Sequence, residues 1–273
     1  MKPLSASDLT TLQQTLLITL RGKALESQFA DSVLEDRFAA DAIEKVDFDF
    51  QQIPLTHEAI VAMAVRAKVL DVWTSQFLNQ HPQANVIHLG CGLDSRLFRV
   101  DPNLETAWWE VDFPEVIQLR RQIYPSRTGC TLVGASMLED AWLQQIPREH
   151  PTLIVAEGVL AYLHADEVQQ IFRTMISHFK SGELAFDAYN TWGVWWLNQL
   201  PIMRNSKEQL HWRLDHPRLL EQSVPGLRLQ EENTDGIAQQ AARVGWWMRT
   251  AFLTSRWVPP LRRMGQLLRF DFG

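Results

Sequence analysis

Short apolar runs alternating with segments of helical period constrain this chain more than any other feature. The runs NVIHLG (85–90), TAWWEVD (106–112), TLVGAS (131–136), TLIVAEG (152–158) and ELAFDAY (183–189) have the length of buried strands. Between most of them lie segments of helical period, such as 114–124 and 165–179. This alternation predicts a parallel sheet with helices on both faces, hence an α/β fold of Rossmann-like type. LRLQEEN (227–233) and QLLRFDF (266–272) supply two further strands. With 273 residues, 46% of them hydrophobic, the chain can bury one large core.

Two helical stretches precede the first strand. Residues 5–30 read as a helix, opened by Ser5 and Asp8 in a capping-box-like start, with Leu9, Leu12, Leu16 and Leu20 on one face. Residues 56–80 read as another, capped by Thr56, with an apolar face of Ile60, Met63, Ala67, Leu70, Trp73 and Phe77. A Trp-rich helical stretch follows Tyr189, and a long helix is expected from about 237, broken near Pro259 and Pro260. The expected organisation is one domain: a helical cap over 1–84, a sheet core over 85–190, a helical lid over 191–226, and C-terminal strands and helix over 227–273.

The first strand runs straight into Gly90-Cys91-Gly92 and then a helix. That is the geometry of a nucleotide-binding first turn, in which glycine permits the tight bend and lets a ligand lie against the main chain. The third glycine of a dinucleotide fingerprint is missing, because position 95 is Ser. Its absence disfavours a pyrophosphate ligand and leaves a nucleoside open. Asp112 ends the second strand twenty residues after Gly92, the spacing of an acid that accepts from both ribose hydroxyls. The competing reading is that Asp112 caps the helix beginning at Pro114.

Net charge is −6, which argues against non-specific nucleic-acid binding. The late arginines Arg256, Arg262, Arg263 and Arg269 read as solvated helix faces and strand ends. Cys91 and Cys130 form no metal framework and read as reduced thiols. No run approaches the ~20 apolar residues of a membrane span, and the N-terminus lacks an apolar signal core. A cytoplasmic protein is expected.

Arg66, LGCGLDSR (89–96), EVDFPEV (110–116) and AEGVLAYL (156–163), in that order, resemble the leucine carboxyl methyltransferase family, which includes protein-phosphatase carboxyl methyltransferases and tetracenomycin-type polyketide O-methyltransferases. The likeness extends from about residue 21 to about 190. It implies S-adenosylmethionine (SAM) as methyl donor, bound on a seven-stranded class I methyltransferase sheet whose last strand is antiparallel. By the same resemblance Arg66 holds the donor's carboxylate, Gly90 and Gly92 form the loop contact, and Asp112 binds the ribose. Glu157 lies near the donor's amino group, and Lys23 matches a lysine near the donor. Glu157 also stands out by itself, since an acid directly after LIVA is costly unless paired. After the third strand the family often carries Asp-Leu around the adenine; here Ser136-Met137 stands in that place.

Methyl transfer requires nucleophile, methyl and sulfur in line, with water excluded. A carboxylate acceptor needs no general base, whereas a hydroxyl needs one within hydrogen-bond reach. Tyr162 and His164 are the only nearby candidates, and His164 also reads as a helix-start residue. The lack of a clear base favours a carboxylate. The chain has eleven tryptophans, and Trp192, Trp195, Trp196, Trp246 and Trp247 offer rigid surfaces for a flat or lipophilic small-molecule acceptor, or else pack an insertion onto the sheet. Two alternatives stand beside a methyltransferase: a non-catalytic nucleoside-binding module and an NAD(P)-dependent oxidoreductase. None of the three tyrosines has Lys four residues on, and no G-x-S-x-G elbow marks a hydrolase.

Overall fold

A computed structural model describes residues 10–206, 208–235 and 258–273. Its strands are β1 (Asn85–Leu89), β2 (Ala107–Asp112), β3 (Cys130–Gly134), β4 (Thr152–Ala156), β5 (Gly182–Ala188), β6 (Arg228–Asn233) and β7 (Gln266–Phe272), and the helices up to the end of β5 and just beyond it are α1 (Thr11–Glu26), α2 (Arg37–Ile43), α3 (His57–Gln80), α4 (Arg96–Val100), α5 (Pro114–Ile123), α6 (Ala165–His178) and α7 (Thr191–Gln199). All seven lie where the apolar runs place them. They form one sheet in the order β3-β2-β1-β4-β5-β7-β6. β1 to β5 are mutually parallel, and β7 runs antiparallel to both β5 and β6.

β1 and β4 are buried at every position, as central strands covered on both faces must be. Alternate side chains feed two cores. Val86, Leu153, Val155 and Ala185 meet Leu70, Trp73 and Phe77 of helix α3 (His57–Gln80). Ile87, Leu89, Ile154, Ala156 and Phe186 instead meet Val168, Ile171, Phe172 and Met175 of a helix spanning Ala165–His178. α3 forms as its stripe predicts, and Thr56 accepts the Ala59 N–H at 3.3 Å; Met63 is the one stripe member only half-buried.

Helix α1 (Thr11–Glu26) is shorter than its expected 5–30 span. The buried Glu26 carboxylate stops it by accepting from the Ser32 hydroxyl at 2.8 Å and the Val33 N–H at 2.5 Å in the turn that follows. Its packed seam is Leu17, Leu20 and Ala24. Ser5, Asp8 and Leu9 lie outside the described residues. So do the expected helix from 237, Trp246, Trp247 and Arg256.

The stretch after Tyr189 is only partly helical. α7 (Thr191–Gln199) and a turn of helix at Pro201–Ser206 are followed by an extended segment in which Leu210, Trp212 and Leu214 are buried. His211 and Trp212 donate their N–H groups to the Ala161 carbonyl at 2.7 and 3.1 Å, and Leu214 donates to Tyr189 at 2.8 Å. The alternation in LHWRL is the period of an extended strand, and it overrides the helical reading there. Cys91 and Cys130 are free. Among the described residues no helix is long and apolar enough to cross a membrane.

The chain leaves β1 towards β2 on one side and reaches β4 on the other, so the ends of β1 and β4 form the switch point of the sheet. Register pairs Leu89 with both Val111 and Ala156, and Ala156 with Phe186. The next residues out, Gly90, Asp112, Glu157 and Asp187, therefore emerge side by side.

Candidate active site

Gly90 and Gly92 both take positive φ, +63° and +49°. Gly90 donates its N–H to the Val111 carbonyl at 2.8 Å. A Cβ at position 90 would lie 2.7–2.9 Å from the Val159 side chain, so the close approach that this glycine permits is made by the chain's own β4 loop. Asp112 fastens the turn: Oδ2 accepts the Gly92 N–H at 2.7 Å and Oδ1 the Phe113 N–H at 2.7 Å. It does not cap the following helix, Pro114–Ile123, whose first turn has no side-chain cap. Burial pushes the Asp112 carboxyl up, against the two N–H groups that favour its charge. Each oxygen retains a lone pair for a further donor.

Arg120 braces the loop from below. Its Nη1 donates to the carbonyls of Gly92 at 2.9 Å and Asp94 at 2.8 Å, and its Nε donates to Glu110 at 2.9 Å. Sequence alone gave no sign of this role. The partners sit on two elements, the glycine loop and β2, which lie far from Arg120 along the chain.

Beside the loop lies a buried charge cluster. Arg66 extends the Leu70–Trp73–Phe77 stripe of α3 by one turn, which aims it at the ends of β4 and β5. Its Nε donates to Glu157 at 3.2 Å, and its Nη1 donates to Asp187 and to the Tyr189 hydroxyl, each at 3.1 Å. Its Nη2 makes no hydrogen bond among the described residues, and the side chain keeps 16% exposure. Lys23 reaches down from α1 to Glu157 at 3.0 Å and Asp94 at 3.1 Å. Arg96, fully buried, completes the cage by pairing with Glu157, Asp94 and, at 2.8 Å, Asp71. Arg99 links Asp71, Asp94 and Asp36 behind it.

Burial works against the charges of Glu157 and Arg66, and the partners decide the outcome. Burial favours a protonated Glu157, but Lys23, Arg66 and Arg96 outweigh it and hold its pKa at about 2. Burial opposes the Arg66 charge, and Asp187, Tyr189 and Glu157 more than restore it. Burial and the nearby Arg96 push His88 down, which leaves it neutral. Four cations (Lys23, Arg66, Arg96, Arg99) thus meet five carboxylates (Asp36, Asp71, Asp94, Glu157, Asp187), a cluster with one net negative charge.

The Glu157 pKa has a consequence for stability. Its folded value lies below the ordinary 4.5, so its contribution is complete above pH 4.5 and drains away as pH falls towards 2. Acid titration of wild type is expected to lose on the order of 3 kcal/mol through this one group. Glu157→Gln should flatten that limb in unfolding curves measured from pH 5 to 2. An unchanged slope in the variant would assign the acid sensitivity to other carboxylates.

The remaining expected site residues are placed less centrally. The Ser136 hydroxyl oxygen accepts the Leu138 N–H at 3.3 Å, and Met137 packs on the core beneath the Ala165–His178 helix. The Tyr162 hydroxyl bonds to Thr15 of α1, and burial pushes its pKa up. His164 is exposed at a helix start, donates its N–H to Glu167 at 2.7 Å, and stacks on His211 with ring centroids 4.5 Å apart. Trp192, Trp195 and Trp196 are exposed on α7. Asp187, Asp71, Arg96 and Arg99 were missed, although Asp187 interrupts LAFDAY as Glu157 interrupts its own apolar run. Among the described residues no group of three or more His, Cys, Asp or Glu could hold a metal ion.

The strand ends thus offer an open guanidinium edge, an anchored carboxylate beside it, and an acid with two spare lone pairs across the glycine loop. This donor set fits a zwitterionic nucleoside with a net positive charge. The sequence pattern of the leucine carboxyl methyltransferase family matches residues 17–176. The chain is 37% identical over 267 residues to the tetracenomycin polyketide synthesis O-methyltransferase TcmP of Streptomyces glaucescens, with 97% of this chain and 98% of that protein covered. It is 34% identical to the SAM-dependent methyltransferase dpfgK of Gibberella zeae, over 97% of this chain and 96% of that one. The crystal structure of a DUF574 family protein from Streptomyces avermitilis superposes with a TM-score of 0.60 at 12% identity, covering 93% of this chain and 97% of that one, which shows a shared fold.

Proposed function

The chain belongs to the leucine carboxyl methyltransferase family and is a SAM-dependent O-methyltransferase, and we propose that it esterifies a carboxylate on a small, flat, polyketide-like acid. The oxidoreductase and binding-module alternatives give way to this family. One observation supports the site assignment above others: Arg66, Glu157 and Asp112, from three separate elements, converge on the switch point of the sheet. Arg66 is assigned to the donor's carboxylate through its open Nη2 edge, and Glu157 to the ammonium. Asp112 is assigned to the ribose, with Gly90 and Gly92 beneath it. Ser136 and Met137 take the adenine side, and Lys23 closes over the site from α1.

SAM supplies a methyl group on a sulfonium, which is discharged on transfer. The residues around it have the complementary task of holding a cation, and the net negative cluster suits it. Proton removal is not a task these side chains are set up for. Tyr162 is tied to Thr15 with its proton held more tightly by burial, and Tyr189 is held likewise by burial and by Asp187. His164 faces solvent. An acceptor already ionised at neutral pH matches this arrangement. The family description and the polyketide context of TcmP support the same choice.

Calorimetry is expected to show SAM and S-adenosylhomocysteine binding, with NAD silent. Asp112→Ala should weaken S-adenosylhomocysteine by about 10–100-fold, as expected for charge-assisted hydrogen bonds; unchanged affinity at intact fold removes the ribose assignment. Of matched aromatic acids and phenols incubated with labelled SAM, the acids should yield base-labile methyl esters and the phenols no labelled product. Ethers alone would overturn the carboxylate choice.

A further inference from the structure

We propose that Asp187 is a positioning residue that fixes Arg66 and the Glu157–Gly158 turn relative to each other. The inference rests on the assignment of Arg66 and Glu157 to the two ends of the donor's amino-acid tail. It adds the group that keeps those two grips in register.

Asp187 is the penultimate residue of β5, with a side chain only 4% exposed. Its Oδ1 accepts the Gly158 N–H at 2.6 Å. Its Oδ2 accepts from Arg66 Nη1 at 3.1 Å and from the Tyr189 hydroxyl at 3.0 Å. One carboxylate therefore bonds the main chain directly after Glu157 and the guanidinium of Arg66 together. Gly158 has φ +68°, a conformation that side chains resist, and a Cβ there would come within 3.1 Å of Arg66 Nη2. The glycine lets the turn lie against the guanidinium with no side chain between them.

The planarity of guanidinium makes this effective. Glu157 takes its Nε edge while Asp187 and Tyr189 take Nη1, so two fixed edges set the direction of the third, Nη2. Tyr189 closes the triangle by accepting from Arg66 and donating to Asp187. A residue that merely neutralised Arg66 would not need the second oxygen on Gly158.

Two ligands separate positioning from plain stabilisation. S-Adenosylhomocysteine carries the amino-acid tail, and 5′-methylthioadenosine lacks it. Asp187→Ala is expected to weaken S-adenosylhomocysteine at least 30-fold by calorimetry, with 5′-methylthioadenosine changed less than threefold. The donor KM should rise at least tenfold, with kcat changed less. Asp187→Asn keeps an acceptor for Gly158 and should recover part of the loss. If Asp187→Ala does not fold, Tyr189→Phe is the second variant, with a several-fold loss on the tailed ligand alone. Equal losses on both ligands, or none, overturn the proposal. Arg66→Ala, measured on the same pair, tells the two failures apart. If it discriminates between the ligands and the Asp187 variants do not, only the positioning role falls. If it does not discriminate, the tail assignment falls and the proposal with it.

Discussion

Glu157→Leu is expected to lower the unfolding free energy by about 3–5 kcal/mol, the cost of stranding buried charges when one partner is removed. Glu157 is 4% exposed and accepts from Lys23, Arg66 and Arg96, and leucine offers none of them an acceptor. Lys23 retains Asp94, Arg66 retains Asp187, and Arg96 retains Asp71. The fold should therefore survive, with a melting temperature lower by roughly 10 °C. Urea curves should show a lower midpoint with the slope unchanged, because the surface exposed on unfolding stays the same. Binding of the tailed ligand should vanish. A loss under about 1 kcal/mol would mean that the three cations re-pair at little cost, and Glu157 would then not be the keystone of the cluster.

Arg120→Met is expected to have an effect of similar size, about 3–5 kcal/mol, by a different route. The side chain is 1% exposed, and methionine fills much of its volume. What is lost is the partner of Glu110 and the donor to two loop carbonyls, Gly92 and Asp94. Glu110 is already pushed up by burial, and without Arg120 it is left to take up a proton. Because Gly92 also carries the N–H that Asp112 accepts, nucleoside affinity should fall by about tenfold, the equivalent of roughly 1.4 kcal/mol. The double variant Glu110→Leu/Arg120→Met should be more stable than Arg120→Met alone, since it removes the stranded carboxylate. A double variant weaker than the single would place the main cost in the loop carbonyls.

The sheet was legible because its signal is local. Each strand announces itself within five to seven residues, and the runs that become β1 and β4 read as buried strands. Gly90 and Asp112 were legible for the same reason, since their positions relative to strand ends follow from the strands. Glu157 was legible as an acid where an apolar run should continue. The segment at 208–218 was misread because its alternation is short and lies beside a helix rich in tryptophan. His164 looked like a possible base because sequence gives nearness along the chain and not direction; in the fold it faces solvent.

By itself, then, the sequence determined the alternation of strand and helix, and through it the glycine turn, the acid across from it and the acid at the end of the fourth strand. Only the tertiary structure decided which charges meet. Arg66 finds Glu157 across 91 positions and Asp187 across 121. Periodicity and propensity act over a few residues, whereas an ion pair is chosen by whichever groups the closed sheet brings within reach and deprives of water.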